Sequence, residues 1–194
     1  GNRAEAGRKD GNGSMPGQRR GGGRANPNQN RKPRGAAATN PAEKTMRGGR
    51  GRVKGLALSA PKGQEIRPTS DRLREAVFNI LAHAYDDPVE GARVLDLCAG
   101  TGALGIEALS RGARSALFVD LSAEARALIR RNLEAAGIMG LARISRRDVA
   151  HLGPAGSQGG FTLVFLDPPY GKGIADKALA SLAIGKWLGK DALI

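Results

Sequence analysis

Arg93-Val94-Leu95-Asp96-Leu97-Cys98-Ala99-Gly100-Thr101-Gly102-Ala103-Leu104-Gly105-Ile106-Glu107-Ala108-Leu109-Ser110 is the stretch on which the fold turns. Its first five residues form a short apolar run that reads as a strand. Gly100-Thr101-Gly102 makes a turn, and residues 103–110 read as a helix stopped by Gly112. The unit then repeats. Residues 115–120 predict a strand, and Ser122 caps a helix that runs to Ala136 and stops at Gly137. Residues 141–145 and 161–166 predict two further strands, residues 175–188 a helix, and residues 191–194 the start of a fifth strand. Strands alternating with helices imply an α/β domain, with a parallel sheet and helices on both faces.

Ligands of such sheets bind beyond the carboxyl ends of the strands. Each of the four strands carries an acid at or just past that end: Asp96, Asp120, Asp148 and Asp167. Four acids on one rim are costly without a ligand that supplies donors. Residues 100–105 match G-x-G-x-x-G, which suits a pyrophosphate when it stands alone. Asp96, four residues before the first glycine, would repel a pyrophosphate and suits a cationic ligand instead. S-adenosylmethionine carries an ammonium group, a ribose diol and an adenine. In that reading Asp96 serves the amino-acid end, with Cys98, Gly100, Thr101 and Gly102 forming the backbone that approaches it. Asp120, followed by Leu121, accepts from both ribose hydroxyls. Asp148 accepts from the adenine amine, with Val149 beside the ring. Each acid has a plainer alternative as a helix cap or loop residue, most of all Asp148.

Asp167-Pro168-Pro169-Tyr170 is the more specific feature. A nucleobase amine is a weak nucleophile because its lone pair is conjugated with the ring. A carboxylate (Asp167) and a carbonyl (Pro168) that accept both its hydrogens draw the nitrogen toward an attacking geometry. The prolines stiffen the turn, and Tyr170 offers a ring for a base to stack on. The alternative is a diproline turn with Tyr170 as a packing residue.

Upstream, residues 46–59 predict one or two short basic strands. Arg67-Pro68-Thr69-Ser70-Asp71 opens a helix, capped by Thr69 or Ser70, with Leu73, Val77, Ile80, Leu81 and Ala84 as its buried stripe and Arg72 and Arg74 off it. Of the 194 residues, 31 are Lys or Arg and 18 Asp or Glu, for a net charge of +13. Residues 1–54 hold 14 of the basic residues against three acids and contain no Phe, Trp or Tyr. Residues 1–45 are therefore expected to be a disordered basic arm, drawn to phosphate backbones without reading bases or serving only as a solvated tail. Residues 46–91 would form the N-terminal part of the ordered domain and 92–194 its ligand-binding core. No run of about 18 apolar residues predicts a membrane span, and no apolar leader opens the chain. A single cysteine makes no internal disulfide, and neither His83 nor His151 has an acidic or cysteine neighbour at metal-ligand spacing. A cytoplasmic, metal-free monomer is expected.

These residues resemble the class I S-adenosylmethionine-dependent methyltransferases that act on base amines. Met46-Arg47, the run Arg67-Pro68-Thr69-Ser70-Asp71-Arg72-Leu73-Arg74-Glu75 with Phe78-Asn79, and the stretch from Val94 to Ala108 narrow the likeness. They resemble the bacterial family of small-subunit ribosomal RNA guanine-N2 methyltransferases. The resemblance implies a Rossmann-like methyltransferase fold and methylation of a guanine N2 in 16S ribosomal RNA on the small subunit. It places Asp167 to Tyr170 on the guanine and the Arg67, Thr69, Arg72 and Arg74 segment near the rim, its arginines facing RNA or pairing with acids. It also implies that the core here is C-terminally incomplete, since the family continues through the fifth strand into a final antiparallel pair. A DNA adenine or protein amide substrate, or a non-catalytic RNA-binding role in ribosome assembly, are the alternatives.

Overall fold

Five parallel strands lie side by side in the order β5-β4-β3-β6-β7 in a computed structural model of the chain, which describes residues 46–47, 57–59, 69–171 and 173–194. The basic arm, Arg67 and Pro68 lie outside the described residues. In chain order the elements are β1 (Met46–Arg47), β2 (Ala57–Leu58), α1 (Asp71–Ala84), β3 (Arg93–Leu97), α2 (Ala103–Ser110), β4 (Ser115–Val119), α3 (Ala123–Ala135), β5 (Ala142–Ser145), β6 (Phe161–Leu166), α4 (Ile174–Ile184) and β7 (Leu188–Leu193). The short β1 and β2 pair antiparallel, Met46 opposite Leu58. The glycine stops and serine caps act as expected: Ser122 Oγ accepts from the Ala125 amide at 3.2 Å, and Ser70 Oγ from the Leu73 amide at 3.1 Å.

Side chains alternate across the sheet, so each strand feeds two layers. Val94, Ala116, Phe118, Leu163 and Phe165 face α1, α2 and α3, where Phe78, Leu81, Ile106, Leu109, Ile129 and Leu133 are buried. Leu95, Leu97, Leu117, Val119 and Val164 face the other layer, filled by Leu152, Ala178, Leu182 and Trp187. The connection from β5 to β6 holds two single 3-10 turns, Val149–His151 and Gly156–Gln158, rather than a full helix.

Helix α1 departs from the expected stripe. Phe78 and Leu81 are buried with Arg74, while Leu73 and Ile80 are more than half exposed. The helix is rolled by a buried charge. Arg74, 2% exposed, reaches Glu107 of α2 at 3.7 Å and Asp71 at 3.1 Å, and Glu107 is equally buried. Arg111 closes the group, its Nε 2.7 Å from Glu107 and its guanidinium over the Phe78 ring at 4.7 Å. A carboxylate so buried is tolerable only when paired.

Helix α4 ends four residues earlier than expected and β7 begins three earlier. The Gly185 backbone packs so closely on the Gly153 carbonyl that a Cβ there would lie 2.3 Å from it. Trp187 then turns inward, donates from Nε1 to that same carbonyl at 2.8 Å and stacks near Phe161.

Glu107→Ala should lower the unfolding free energy by about 3–5 kcal/mol, because it removes a buried carboxylate that the buried Arg74 pairs with. Urea unfolding measures this, and a loss below about 1 kcal/mol would mean the group does not hold α1 to α2.

Candidate functional site

The chain runs outward from β3 through β4 to β5 and then returns to β6 on the other side of β3. The crevice of such a sheet opens at that reversal, between β3 and β6. Leu97 pairs with Leu166, so Cys98 and Asp167 are the next residues of the two strands. The switch point is therefore flanked by the glycine turn on one side and the diproline corner on the other.

Between β3 and α2 the backbone enters the left-handed region at alternate residues: Cys98 at φ 57°, Gly100 at 56° and Gly102 at 77°. Cys98 has a side chain there, which costs about 1–2 kcal/mol. The Gly102 amide donates to the Ala99 carbonyl at 2.7 Å, and the Ala99 amide to Val119 of β4 at 3.2 Å. Gly105 serves a different purpose. A Cβ on it would lie 2.4 Å from the Phe118 ring and 3.0 Å from Asp96, so its absence lets α2 begin directly above both.

Asp96 is 3% exposed, and its Oδ2 accepts from the Gly105 amide at 3.0 Å. Burial pushes its carboxyl up to about 8; the Gly105 N–H opposes the rise, while Asp120 and Asp167 add to it. Asp120 is half-buried and joins two strand ends: Oδ2 accepts from the Gly100 amide at 3.0 Å and Oδ1 from the Ser122 amide at 2.8 Å. Each carboxylate oxygen can take a second donor. Asp148 is exposed and caps a 3-10 turn, accepting from the Ala150 amide at 2.9 Å. Its other oxygen meets His151 Nδ1 at 3.2 Å, an acidic neighbour that the sequence reading did not give His151. The Ala150 amide first, then His151, hold its carboxyl below the ordinary range.

Cys98 reports on all of them. Burial pushes its thiol up to about 12, and Asp120, Asp96, Asp167 and Asp148 each add to the rise. The four strand-end carboxylates are therefore near enough to Cys98 for each to oppose its ionisation. At the corner, Asp167, Pro169 and Tyr170 are exposed, Tyr170 at 79%, and Pro168 is half-buried. Of the other expected residues, Thr101 and Val149 are buried and Leu121 is 56% exposed beside Asp120. Arg72 is exposed and Thr69 half-buried. Arg74 takes the second of its two expected roles: it pairs with acids under α1 and is sealed from any RNA.

Two residues that stiffen the rim went unread. Asn132, 0% exposed on α3, accepts from the Ser59 amide at 2.6 Å and donates to the carbonyls of Ser59 and Thr101 at 3.2 and 3.0 Å, tying the end of β2 to the glycine turn. Arg126 Nη1 donates to the carbonyls of Asp120 and Leu121 at 2.9 and 2.8 Å. An Asn or Arg at an inward helix position was the available signal. Among the described residues no cluster of His, Cys, Asp and Glu is set to hold a metal, and no helix is long and apolar enough to cross a membrane. The acid set fits a cationic ligand and opposes a pyrophosphate.

Residues 46–194 match the family described as conserved hypothetical protein 95. The chain is 40% identical over 122 residues to YlbH of Bacillus subtilis, a provisional rRNA methyltransferase by name, covering 62% of this chain and 64% of that one. It is 33% identical over 144 residues to ribosomal RNA small subunit methyltransferase D of Escherichia coli, covering 74% and 70%. The chain thus spans about two thirds of the length of these relatives. Among solved structures, yhhF of Escherichia coli, a provisional methyltransferase by name, superposes with a TM-score of 0.63 at 32% identity, covering 77% of this chain and 79% of that one. With this sheet order, this glycine turn and these matches, the chain belongs to the conserved hypothetical protein 95 family and carries its Rossmann-like, class I methyltransferase fold.

Proposed function

We propose that the protein methylates ribosomal RNA, and specifically that it transfers a methyl group from S-adenosylmethionine to the exocyclic N2 of a guanine in the 16S RNA of the small subunit. The observation that carries this reading is the switch point between the paired Leu97 and Leu166, with buried Asp96 and the glycine turn on one side and the exposed acid–diproline corner on the other. The name of the Escherichia coli relative supports the RNA substrate.

When bound, S-adenosylmethionine supplies an electrophilic methyl on a positively charged sulfur. The chain's own residues do the rest. Asp96 and its neighbours supply the negative field that holds a cation in the crevice. Asp120 keeps lone pairs for ribose hydroxyls while its backbone donors fix its position. Asp148, exposed at the edge and already meeting the Ala150 amide and His151, uses its remaining lone pairs for the adenine amine. Asp167 and the Pro168 carbonyl accept the two hydrogens of the guanine amine, and the exposed Tyr170 ring stacks on the base. Holding the amine in line with the methyl supplies most of the acceleration.

Asp167→Ala should lower methyl transfer to small subunits by about 100-fold or more while leaving the affinity for S-adenosylmethionine within about twofold. A tritiated-methyl assay alongside calorimetry checks both numbers, and an active variant would remove Asp167 from its role.

Asp96 makes a pH signature. Its carboxyl is raised in the fold to about 8, so the folded state holds a proton that the unfolded state loses above its ordinary value of 3.8. Its contribution to stability therefore falls as pH rises from about 4 through about 8. Asp96→Asn should gain stability relative to the wild type over that range, by at least about 1 kcal/mol. Binding of S-adenosylmethionine at pH 7 should release a proton from the wild type and none from Asp96→Asn, as read by calorimetry in buffers of different ionisation enthalpy. Equal proton release from both would break the link between Asp96 and the cation.

A further inference from the structure

At the opposite ends of the strands from the acidic rim lies a cavity of about 490 Å³. Its walls carry three guanidinium groups, from Arg93, Arg114 and Arg143, and among the described residues no carboxylate. Strand register explains why two of them share one face. Residues paired across a parallel sheet point to the same face, and Arg93 pairs with Ser115, Leu95 with Leu117, and Leu117 with Arg143. Leu95 and Leu117 belong to the core layer opposite α1, so Arg93 and Arg143 rise from that same face. They stand two strands apart, about 10 Å across the sheet. The face is open there because the link from β5 to β6 is only two 3-10 turns.

Arg93 is half-buried, while Arg114, just before β4, and Arg143 are exposed, and none of the three makes an ion pair with a described residue. Arg93 is instead held in place by uncharged groups. Its Nη2 donates to the Gln158 carbonyl at 3.2 Å, and its guanidinium lies 5.2 Å from the centre of the Phe161 ring. Ser115 and Ser157 add hydroxyl donors to the wall. The result is a pocket of positive charge and hydrogen-bond donors with no counter-ion among the described residues.

We propose that this cavity binds a phosphate group, and that the phosphate is one of the RNA backbone some distance along the strand from the target base. The phosphate chemistry follows from the guanidinium cluster; the RNA source rests on the proposed function. A five-residue strand separates the cavity from the rim by about 15 Å, a distance that several nucleotides of single-stranded RNA can span.

The test uses the full chain and an unstructured RNA oligonucleotide. Affinity is measured between about 50 and 200 mM salt for the wild type, for Arg114→Gln/Arg143→Gln, and for Arg130→Gln/Arg131→Gln, a control that removes the same charge from exposed positions on α3 outside the cavity. The cavity variant should give a salt slope shallower by about 1.4, since each single-strand phosphate contact contributes roughly 0.7. The control slope should stay closer to the wild type. An unchanged slope in the cavity variant, or an equal loss in the control, overturns the RNA assignment. A parallel thermal-shift series with millimolar inorganic phosphate separates the sources. Stabilisation of the wild type alone, with equal RNA slopes, would assign the cavity to small phosphate compounds. Neither effect would overturn the site. Binding of S-adenosylmethionine, followed in the same preparations, reports separately on the methyl-transfer reading, and its failure would leave a cavity-dependent salt slope standing.

Discussion

The Asp96 carboxylate ends the central strand out of water, and much of the rim is arranged around that fact. Taking a carboxylate into the interior favours its neutral form, and the Gly105 amide offsets this only in part. Asp120 and Asp167 push in the same unfavourable direction. The glycine at position 105 is needed because any side chain there would strike Phe118 and crowd the carboxylate itself. The left-handed turn at Cys98, Gly100 and Gly102 then brings the chain round so that the Gly100 amide reaches Asp120. A rim built this way has negative charge it cannot neutralise from within. Cys98 beside it stays a thiol, because burial opposes its ionisation and the acids around it add to that cost.

A second buried carboxylate, Glu107, decides where α1 sits. It lies on α2, the same helix that starts over Asp96, and its partners Arg74 and Arg111 leave α1 one orientation that keeps the charges paired. Asn132 performs the matching task on the other side of the glycine turn, binding Thr101 and Ser59 through one amide group. The N-terminal elements are thus fastened to the rim-forming turn by polar contacts at two points. Displacing them would expose unsatisfied charge and amide groups, so they act as one body with the turn.

Four of the five sheet strands were legible in the sequence because each is a short, largely apolar run beside a turn signal; β7, which carries Lys190 and Asp191, was expected only from residue 191. Strands β3 and β6 and helix α2 begin and end at the residues those signals mark. The acidic row was legible too, since a strand's last residue is a local property. What the sequence hid depended on partners far along the chain. The roll of α1 follows from Glu107, 33 residues beyond Arg74, and no periodicity within α1 announces it. Beyond the end of α4, Gly185 packs where the Gly153 carbonyl leaves no room for a Cβ and the chain turns left-handed at Lys186, contacts and geometry that spacing alone does not reveal. Asp148 looked like a ligand acid and is also a cap that holds His151, which is the plainer role it shares with many loop acids.

The two ends of the sheet differ in sign, and that difference bears on how a polyanion could be a substrate at all. The carboxyl ends of the strands carry Asp96, Asp120, Asp148 and Asp167, a field that repels phosphates. On the proposed reading the RNA must nevertheless deliver one base to that rim. A base is uncharged and can enter where its phosphates cannot, provided the backbone is held elsewhere by positive charge. The arginines at the amino ends of β3, β4 and β5 supply such a place about one strand length away. Separating the grip on the phosphates from the pocket for the base lets the rim stay acidic enough for a cationic methyl donor without excluding the RNA. An enzyme that instead placed its phosphate contacts at the rim would weaken the hold on that donor with every arginine it added.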